Sequence, residues 1–162
     1  MQNSEQELAV QLVRACQERG VTLATAESCT GGLVAAAITA VSGASTIFLG
    51  GVVSYANAAK SGLLGVDPEL IAREGAVSVA CAQAMAQGVR TRLGADLSVA
   101  LTGIAGPGGG TAQKPVGLVY LGFADKREVR SEGFHFSGDR GAVRQQAVIK
   151  ALTRLLEAIQ QR

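Results

Sequence analysis

Short apolar stretches alternate along this chain with amphipathic or alanine-rich stretches, and glycine, serine or aspartate separates most of them. Strands are predicted over 21–25, 47–55 and 97–101, and Gly50-Gly51 marks a bulge or a place of close approach in the second of them. Helices are predicted around them, over 4–18, 33–41, 57–64 and 77–92, with a further short helix opened by Asp67-Pro68. The expected caps are Ser4, in a capping box with Glu7, and Ser78. Strands that alternate with helices in this way build a largely parallel sheet covered by helices on both faces.

The last third of the chain departs from this alternation. Two strands are predicted over 116–124 and 128–136, and the short turn Asp125-Lys126-Arg127 joins them. Such a pair forms an antiparallel hairpin, and an amphipathic helix over 139–160 follows it. We therefore expect an α/β protein with one domain over residues 1–162, a three-layer α/β/α sandwich with a mixed, partly parallel sheet.

Charge and composition argue against several classes of function. The net charge is +2 and aromatic residues make up 4% of the chain, so neither the basic surface nor the stacking residues of a nucleic-acid binder are expected. No apolar stretch reaches the ~18 residues of a membrane span. Cys16, Cys29 and Cys81 fit neither a disulfide framework nor a zinc-site spacing, which favours a reducing, cytoplasmic location.

The residues best suited to chemistry follow the first predicted strand, in the stretch Thr25-Ala26-Glu27-Ser28-Cys29-Thr30-Gly31-Gly32. The start of the next helix offers unpaired N–H groups that could hold an anion or a developing oxyanion. Ser28 and Cys29 are neighbouring candidate nucleophiles. The alternatives are that Ser28 caps the helix and that Cys29 is a small buried residue.

A nucleophilic hydroxyl needs a base, and the chain offers two candidates. His135 is the only histidine, but it alternates with Phe134 and Phe136 in a predicted strand, which favours a solvent-facing position. Lys60 lies in a region with little other charge. If Lys60 is buried, it loses affinity for its proton and could accept one from Ser28, with Tyr55 orienting the pair or relaying the proton. The alternative is an ordinary surface lysine.

Two other segments could bind a ligand. The glycine-rich loop 103–110 lacks the Lys-Ser or Lys-Thr of a P-loop, but its N–H groups could wrap a phosphate or a ring; the alternative is a flexible connection. Arg140 could hold a phosphate, unless Asp139 simply caps the last helix and Arg140 is solvated. The loops at 27–28, 54–55 and 102–103 all follow strands, where ligands of α/β sheets bind.

Five motifs, in order, resemble those of one protein family: Thr25 to Gly32, Gly51-Val52-Val53-Ser54-Tyr55-Ala56-Asn57-Ala58-Ala59-Lys60, Gly75-Ala76-Val77-Ser78, Thr102-Gly103-Ile104-Ala105-Gly106-Pro107-Gly108-Gly109 and Lys114-Pro115-Val116-Gly117. They resemble the CinA C-terminal domain family, whose stand-alone members are nicotinamide-nucleotide amidases. The resemblance implies hydrolysis of the carboxamide of nicotinamide mononucleotide (NMN) to nicotinate mononucleotide and ammonia, a step in pyridine nucleotide recycling and NAD metabolism.

The same resemblance implies roles for individual residues. Ser28 would be the nucleophile, Lys60 its base, and Tyr55 would assist proton transfer. Arg140 would meet the substrate phosphate. The other pocket residues would be Glu27, Thr30, Gly31, Thr102 and Gly103, with N–H groups near Thr30 and Gly31 facing the oxyanion.

The resemblance implies neither a metal nor a cofactor. It does imply a homodimer or a larger homo-oligomer. Two other functions stay open at this point. One is a non-catalytic module that binds a nucleotide in the same pocket. The other is a domain that interacts with protein partners, since the family's names refer to competence and DNA damage. Direct contact with nucleic acid is not expected at this net charge.

Overall fold

The computed structural model describes residues 4–162, which form a five-stranded mixed sheet. In spatial order the strands are β2 (Phe48–Val53), β1 (Leu23–Glu27), β3 (Leu97–Gly103), β4 (Leu118–Ala124) and β5 (Val129–His135). Strand β1 runs parallel to both β2 and β3, whereas β4 is antiparallel to β3 and to β5. The predicted combination of parallel early strands and a terminal hairpin is confirmed.

Helices cover both faces of the sheet and complete the predicted three layers. They are α1 (Glu5–Arg19), α2 (Leu33–Thr39), α3 (Asn57–Leu64), α4 (Pro68–Glu74), α5 (Val79–Leu93) and α6 (Arg140–Gln160), with a 3₁₀ turn at Ala44–Thr46. Side chains of α1, α2 and α6 share one apolar core, and side chains of α3, α4 and α5 share the core on the opposite face. Within residues 4–162, no helix is long and apolar enough to cross a membrane.

Capping residues determine where several helices begin. The Ser4 hydroxyl accepts a hydrogen bond from the Glu7 N–H, and the Glu7 carboxylate accepts one from the Ser4 N–H, so the predicted capping box opens α1. Asp67 caps α4 ahead of Pro68, and Ser78 caps α5. These caps are local in sequence, which is why they could be predicted.

Strand bounds differ more from the prediction, because pairing with distant strands decides them. Strand β1 begins at Leu23 rather than at residue 21 and continues to Glu27, in register with Leu97 to Leu101 of β3. Strand β3 in turn extends past Leu101 to Gly103, since Gly103 pairs with Val119 of β4. The bulge or close approach predicted at Gly50-Gly51 is present in both forms. The register shifts one residue earlier, between Phe48 and Gly50, and a Cβ added to Gly51 would overlap the Thr25 hydroxyl.

Small residues let α5 pack closely on its neighbours. A Cβ added to Gly88 of α5 would overlap the carbonyl oxygen of Leu64, at the end of α3. A Cβ added to Gly122 of β4 would overlap the carbonyl oxygen of Ala82. The position of α3 over the sheet therefore depends on the absence of a side chain at Gly88.

Two helical glycines provide a matched test of this packing. Gly88→Ala should lower the free energy of unfolding by about 1–3 kcal/mol, because the backbone of α3 must move away. Gly62→Ala, in α3, should raise it by about 0.5–1 kcal/mol, since its Cβ would meet no atom within 4 Å and alanine favours the helix. Urea unfolding of both variants measures the difference, and equal effects would contradict the packing argument.

Candidate active site

Two parallel strand ends place the candidate nucleophile and its surroundings side by side. Ser28 follows β1, and its N–H donates to the Leu101 carbonyl of β3 at 2.9 Å. Ser54 follows β2, and its N–H donates to the Glu27 carbonyl at 2.8 Å. The chain continues through Tyr55 into α3, and this short path brings Lys60 back over Ser28. The predicted meeting of these strand ends is confirmed.

The amine of Lys60 lies in contact with three oxygen atoms. Its Nζ is 3.0 Å from the Ser28 Oγ, 3.0 Å from the Ser54 carbonyl oxygen and 3.0 Å from the Tyr55 carbonyl oxygen. Lys60 is only 1% exposed, and Ser28 is 8% exposed. Lys60 is therefore a buried residue, and the alternative of an ordinary surface lysine is excluded.

Burial lowers the pKa of Lys60 below the ordinary value for lysine, because the charged amine loses its hydration. A neutral amine has two N–H groups and one lone pair. In that neutral form the carbonyls of Ser54 and Tyr55 would take the two N–H groups, because they can only accept hydrogen bonds. The lone pair would then face the Ser28 hydroxyl, which also lies 3.5 Å from the Tyr55 carbonyl oxygen. This is the arrangement that a general base requires.

The neighbouring thiol is poorly suited to act as the nucleophile. Cys29 is buried, and burial raises the pKa of its thiol to about 11. The reactive form of cysteine is the thiolate, which is scarce at neutral pH when the pKa is this high. The geometry at Lys60 and the protonated state of Cys29 both favour Ser28.

Glu27 stabilises the turn that carries Ser28. Its carboxylate accepts hydrogen bonds from the Thr30 hydroxyl at 2.7 Å, the Val34 N–H at 2.9 Å and the Ala35 N–H at 3.1 Å. These contacts satisfy the first N–H groups of α2, so this buried carboxylate acts as a helix cap. Gly31, with φ of +60°, completes the turn in a conformation that favours glycine.

Arg140 connects two sides of the site. One guanidinium nitrogen donates to the Gly106 carbonyl of the glycine-rich loop at 2.9 Å, and another donates to the Tyr55 hydroxyl at 3.1 Å. The Tyr55 side chain is 60% exposed, and the part of Tyr55 that contacts Lys60 is its main-chain carbonyl. A role for the Tyr55 hydroxyl in proton transfer stays a prediction.

Three further residues that the sequence analysis considered are Thr102, Gly103 and His135. Thr102, at the end of β3, donates its hydroxyl hydrogen to the Ala76 carbonyl at 2.8 Å, and Gly103 packs against the backbone of β4. His135 is exposed on the edge strand β5, as its alternation with phenylalanine predicted. The part of Thr102 and Gly103 in substrate binding, like that of Thr30 and Gly31, stays a prediction.

Sequence reasoning did not identify the contact between Arg144 and the nucleophile turn. The Arg144 Nε donates to the Cys29 carbonyl at 3.0 Å, and its Nη2 donates to the Thr30 carbonyl at 3.3 Å. One signal was present, since Arg144 lies four residues after Arg140 and therefore on the same face of α6. Which turn that face would meet depends on long-range packing.

A second concave region lies at the other end of the sheet. An open cleft of about 950 Å³ is bordered by the turn at Asp125–Glu128, the end of α1 and the end of α6. It contains none of the residues predicted to bind or react, so its size does not make it the candidate site.

Comparison with known proteins identifies one family. A model of the CinA C-terminal domain matches residues 5–159. A CinA-like protein of Geobacter sp. (strain M21) is 55% identical over 139 residues, and a CinA-like protein of Parasynechococcus marenigrum is 52% identical over 154 residues. These matches cover 86% and 94% of this chain but 34% and 37% of those relatives, so the chain spans about a third of their length.

Solved structures are similar over almost the whole fold. A CinA superfamily protein from Klebsiella pneumoniae 700603 has a TM-score of 0.95 and 38% sequence identity, with 99% of this chain and 100% of that chain covered. The competence/damage inducible protein CihA from Agrobacterium tumefaciens has a TM-score of 0.93 and 41% identity, with 98% and 96% covered. The mixed α/β fold is therefore the fold of this superfamily.

The lowered pKa of Lys60 predicts a pH dependence of stability. Between the folded and the unfolded pKa of Lys60, the unfolded chain binds more protons, so the free energy of unfolding rises with pH. Relative to Lys60→Met, the wild type should gain up to about 1.4 kcal/mol per pH unit across that interval. Urea unfolding of both proteins from neutral to alkaline pH measures this difference, and parallel pH profiles would contradict the lowered pKa.

Proposed function

Because the chain belongs to the CinA C-terminal domain family, we propose that it is an amidohydrolase that converts NMN to nicotinate mononucleotide and ammonia. The observation that carries the proposal is the buried Lys60 amine, 3.0 Å from the Ser28 hydroxyl oxygen and held by two carbonyls. This arrangement supplies a nucleophile and a base without requiring a histidine or a metal ion.

The first half of the reaction forms an acyl-enzyme. Neutral Lys60 accepts the Ser28 proton as the Ser28 Oγ attacks the carboxamide carbon, and the carbonyl oxygen of the substrate becomes an oxyanion. N–H groups of the turn after Ser28 stabilise that oxyanion. Collapse of the intermediate breaks the C–N bond, and protonated Lys60 returns its proton to the leaving nitrogen, which departs as ammonia.

The second half repeats these steps with water as the nucleophile. Neutral Lys60 accepts a proton from water as the water oxygen attacks the ester carbon. The intermediate then expels the Ser28 oxygen, which takes the proton back from Lys60, and nicotinate mononucleotide is released. One lysine thus acts as base and acid in each half, which requires a pKa well below that of a solvated amine.

Arg140 is proposed to bind the substrate phosphate. Both of its present partners, the Gly106 carbonyl and the Tyr55 hydroxyl, are neutral. A phosphate would form charge-assisted hydrogen bonds that are roughly twice as strong, so it can replace these partners. Glu27, Thr30, Gly31, Thr102 and Gly103 are proposed to shape the rest of the pocket, and the Tyr55 hydroxyl to assist proton transfer.

Three buried, free cysteines support a cytoplasmic setting for this reaction, in recycling of pyridine nucleotides. Two other functions predict different results. A non-catalytic nucleotide-binding module would bind NMN without releasing ammonia. A domain that only interacts with partner proteins would do neither.

The reaction is tested by measuring ammonia release from NMN. Ser28→Ala and Lys60→Ala should each lower kcat by at least about 10³-fold, because the two residues act as one unit. Cys29→Ala is the matched control, since it removes the adjacent nucleophile candidate and should retain turnover. Release that disappears only in Cys29→Ala would reverse the assignment of the nucleophile, and a wild type that binds NMN without turnover would favour the binding module.

We also propose that the protein forms a homodimer through the edge strand β2. This strand carries no charged residue and exposes Leu49 and Val53, whereas the opposite edge strand β5 carries Arg130 and Glu132. Charged side chains normally protect an edge strand from pairing, so β2 lacks the protection that β5 has. A second copy related by a twofold axis presents the same edge and can pair with it.

Two lysine substitutions test this interface. Leu49→Lys, at a side chain that is 45% exposed on β2, should convert the dimer to a monomer because it places like charges across the twofold axis. Val129→Lys, at a side chain that is 37% exposed on β5, should leave the dimer intact. Sedimentation velocity measures both. A monomeric wild type, or a dimer that persists in Leu49→Lys, would refute pairing through β2.

A further inference from the structure

Arg144 contacts the nucleophile turn only through main-chain atoms. It lies in the second turn of α6 and donates to the Cys29 carbonyl at 3.0 Å and to the Thr30 carbonyl at 3.3 Å. The side chains of the turn have other partners, since the Thr30 hydroxyl and the start of α2 are bound by Glu27. The Thr30 carbonyl also accepts a hydrogen bond from the Leu33 N–H at 3.1 Å, whereas the Cys29 carbonyl has Arg144 as its partner among the described residues.

The orientation of a carbonyl determines the orientation of the N–H in the same peptide unit. A trans peptide is planar, and its C=O and N–H point in opposite directions. The Cys29 carbonyl belongs to the same unit as the Thr30 N–H. Because Arg144 holds this carbonyl toward α6, the Thr30 N–H is directed away from α6. Helix α3, which carries Lys60, packs in the layer on the opposite face of the sheet.

The hydrogen bonding of the Thr30 N–H also differs from that of the neighbouring Gly31 N–H. Within residues 4–162 the Thr30 N–H donates to no protein acceptor, whereas the Gly31 N–H already donates to the Ser28 carbonyl at 3.1 Å. Thr30 is fully buried, and a buried N–H without a partner is rare in folded proteins. A donor that is preorganised and unused is what a developing oxyanion requires.

We propose that Arg144 is a positioning residue for catalysis, which fixes the Thr30 N–H as a donor to the oxyanion that forms when Ser28 attacks an acyl carbon. The guanidinium also polarises the peptide it binds, since positive charge at the Cys29 carbonyl makes the N–H of the same unit a stronger donor. This inference rests on acyl transfer at Ser28, as proposed above. It assigns to α6 an indirect part in the chemical step, through the peptide unit between Cys29 and Thr30.

The test compares Arg144→Met with Arg154→Met, on the same helix. Arg154 forms ion pairs with Glu132 at 2.8 Å and Glu157 at 3.0 Å and contacts no residue of the site. Arg154→Met therefore measures how much activity is lost when α6 loses an arginine that has only a structural role. In NMN hydrolysis, Arg144→Met should lower kcat at least tenfold with KM changed less than threefold. Loss of a whole oxyanion donor costs about 10²–10³ in kcat. Arg144→Lys should recover part of the loss, because an ammonium can still donate to one carbonyl.

Ground-state binding is measured separately by titrating NMN into Ser28→Ala and into Ser28→Ala combined with Arg144→Met. Equal Kd values are expected, because the oxyanion exists only after attack. If Arg144→Met raises the Kd by the same factor by which it lowers kcat/KM, then Arg144 acts in substrate binding, and the proposal is overturned. Unchanged kcat in Arg144→Met, or an equal loss of kcat in Arg154→Met, would overturn it as well.

A substrate-independent measurement separates this inference from the identity of the substrate. p-Nitrophenyl acetate is an activated acyl donor, and its burst of nitrophenolate reports acylation of Ser28, with Ser28→Ala as the blank. A slower burst in Arg144→Met supports the inference even if the wild type releases no ammonia from NMN, a result that would refute only the proposed substrate. Equal bursts in the wild type and Arg144→Met would refute the positioning role.

Discussion

The burial of one amine determines how this site is built. Lys60 is taken out of water, and no carboxylate within residues 4–162 contacts its Nζ. Its partners there are two carbonyls and one hydroxyl. Carbonyls satisfy the N–H groups without stabilising a positive charge as a carboxylate would, so burial lowers the pKa of Lys60. A carboxylate in the place of either carbonyl would keep the lysine charged and remove its lone pair. The choice of main-chain acceptors is therefore what makes this lysine a possible base.

Close packing of backbones makes that burial possible. Helix α3 is only two turns long, so its own hydrogen bonds contribute little stability. Its position depends on the contact between Gly88 of α5 and the Leu64 carbonyl. In turn, α5 lies against β4 where Gly122 has no side chain. The location of Lys60 above Ser28 thus follows from small residues in elements that are distant in the chain.

Local chemistry in the sequence predicted much of the fold, including the bounds of α3 and the caps at Ser4, Asp67 and Ser78. It also predicted that the ends of β1, β2 and β3 would meet, because parallel strands share an edge. It could not decide whether Lys60 was buried, since Ala58-Ala59-Lys60 fits an exposed helix equally well. The contact of the Tyr55 carbonyl with Lys60 and that of Arg144 with Cys29 depend on how separate segments pack, and no spacing in the sequence encodes them.

The last helix connects two features of the site that the sequence presents separately. Arg140 and Arg144 lie one turn apart on α6, so they reach neighbouring parts of the same site. Arg140 contacts the glycine-rich loop and Tyr55, and Arg144 contacts the turn after Ser28. Under the two proposals above, the residue that binds the substrate phosphate and the residue that orients the oxyanion donor lie one turn apart on the same helix. The placement of both arginines then depends on how α6 packs against the sheet, because no other element carries either contact.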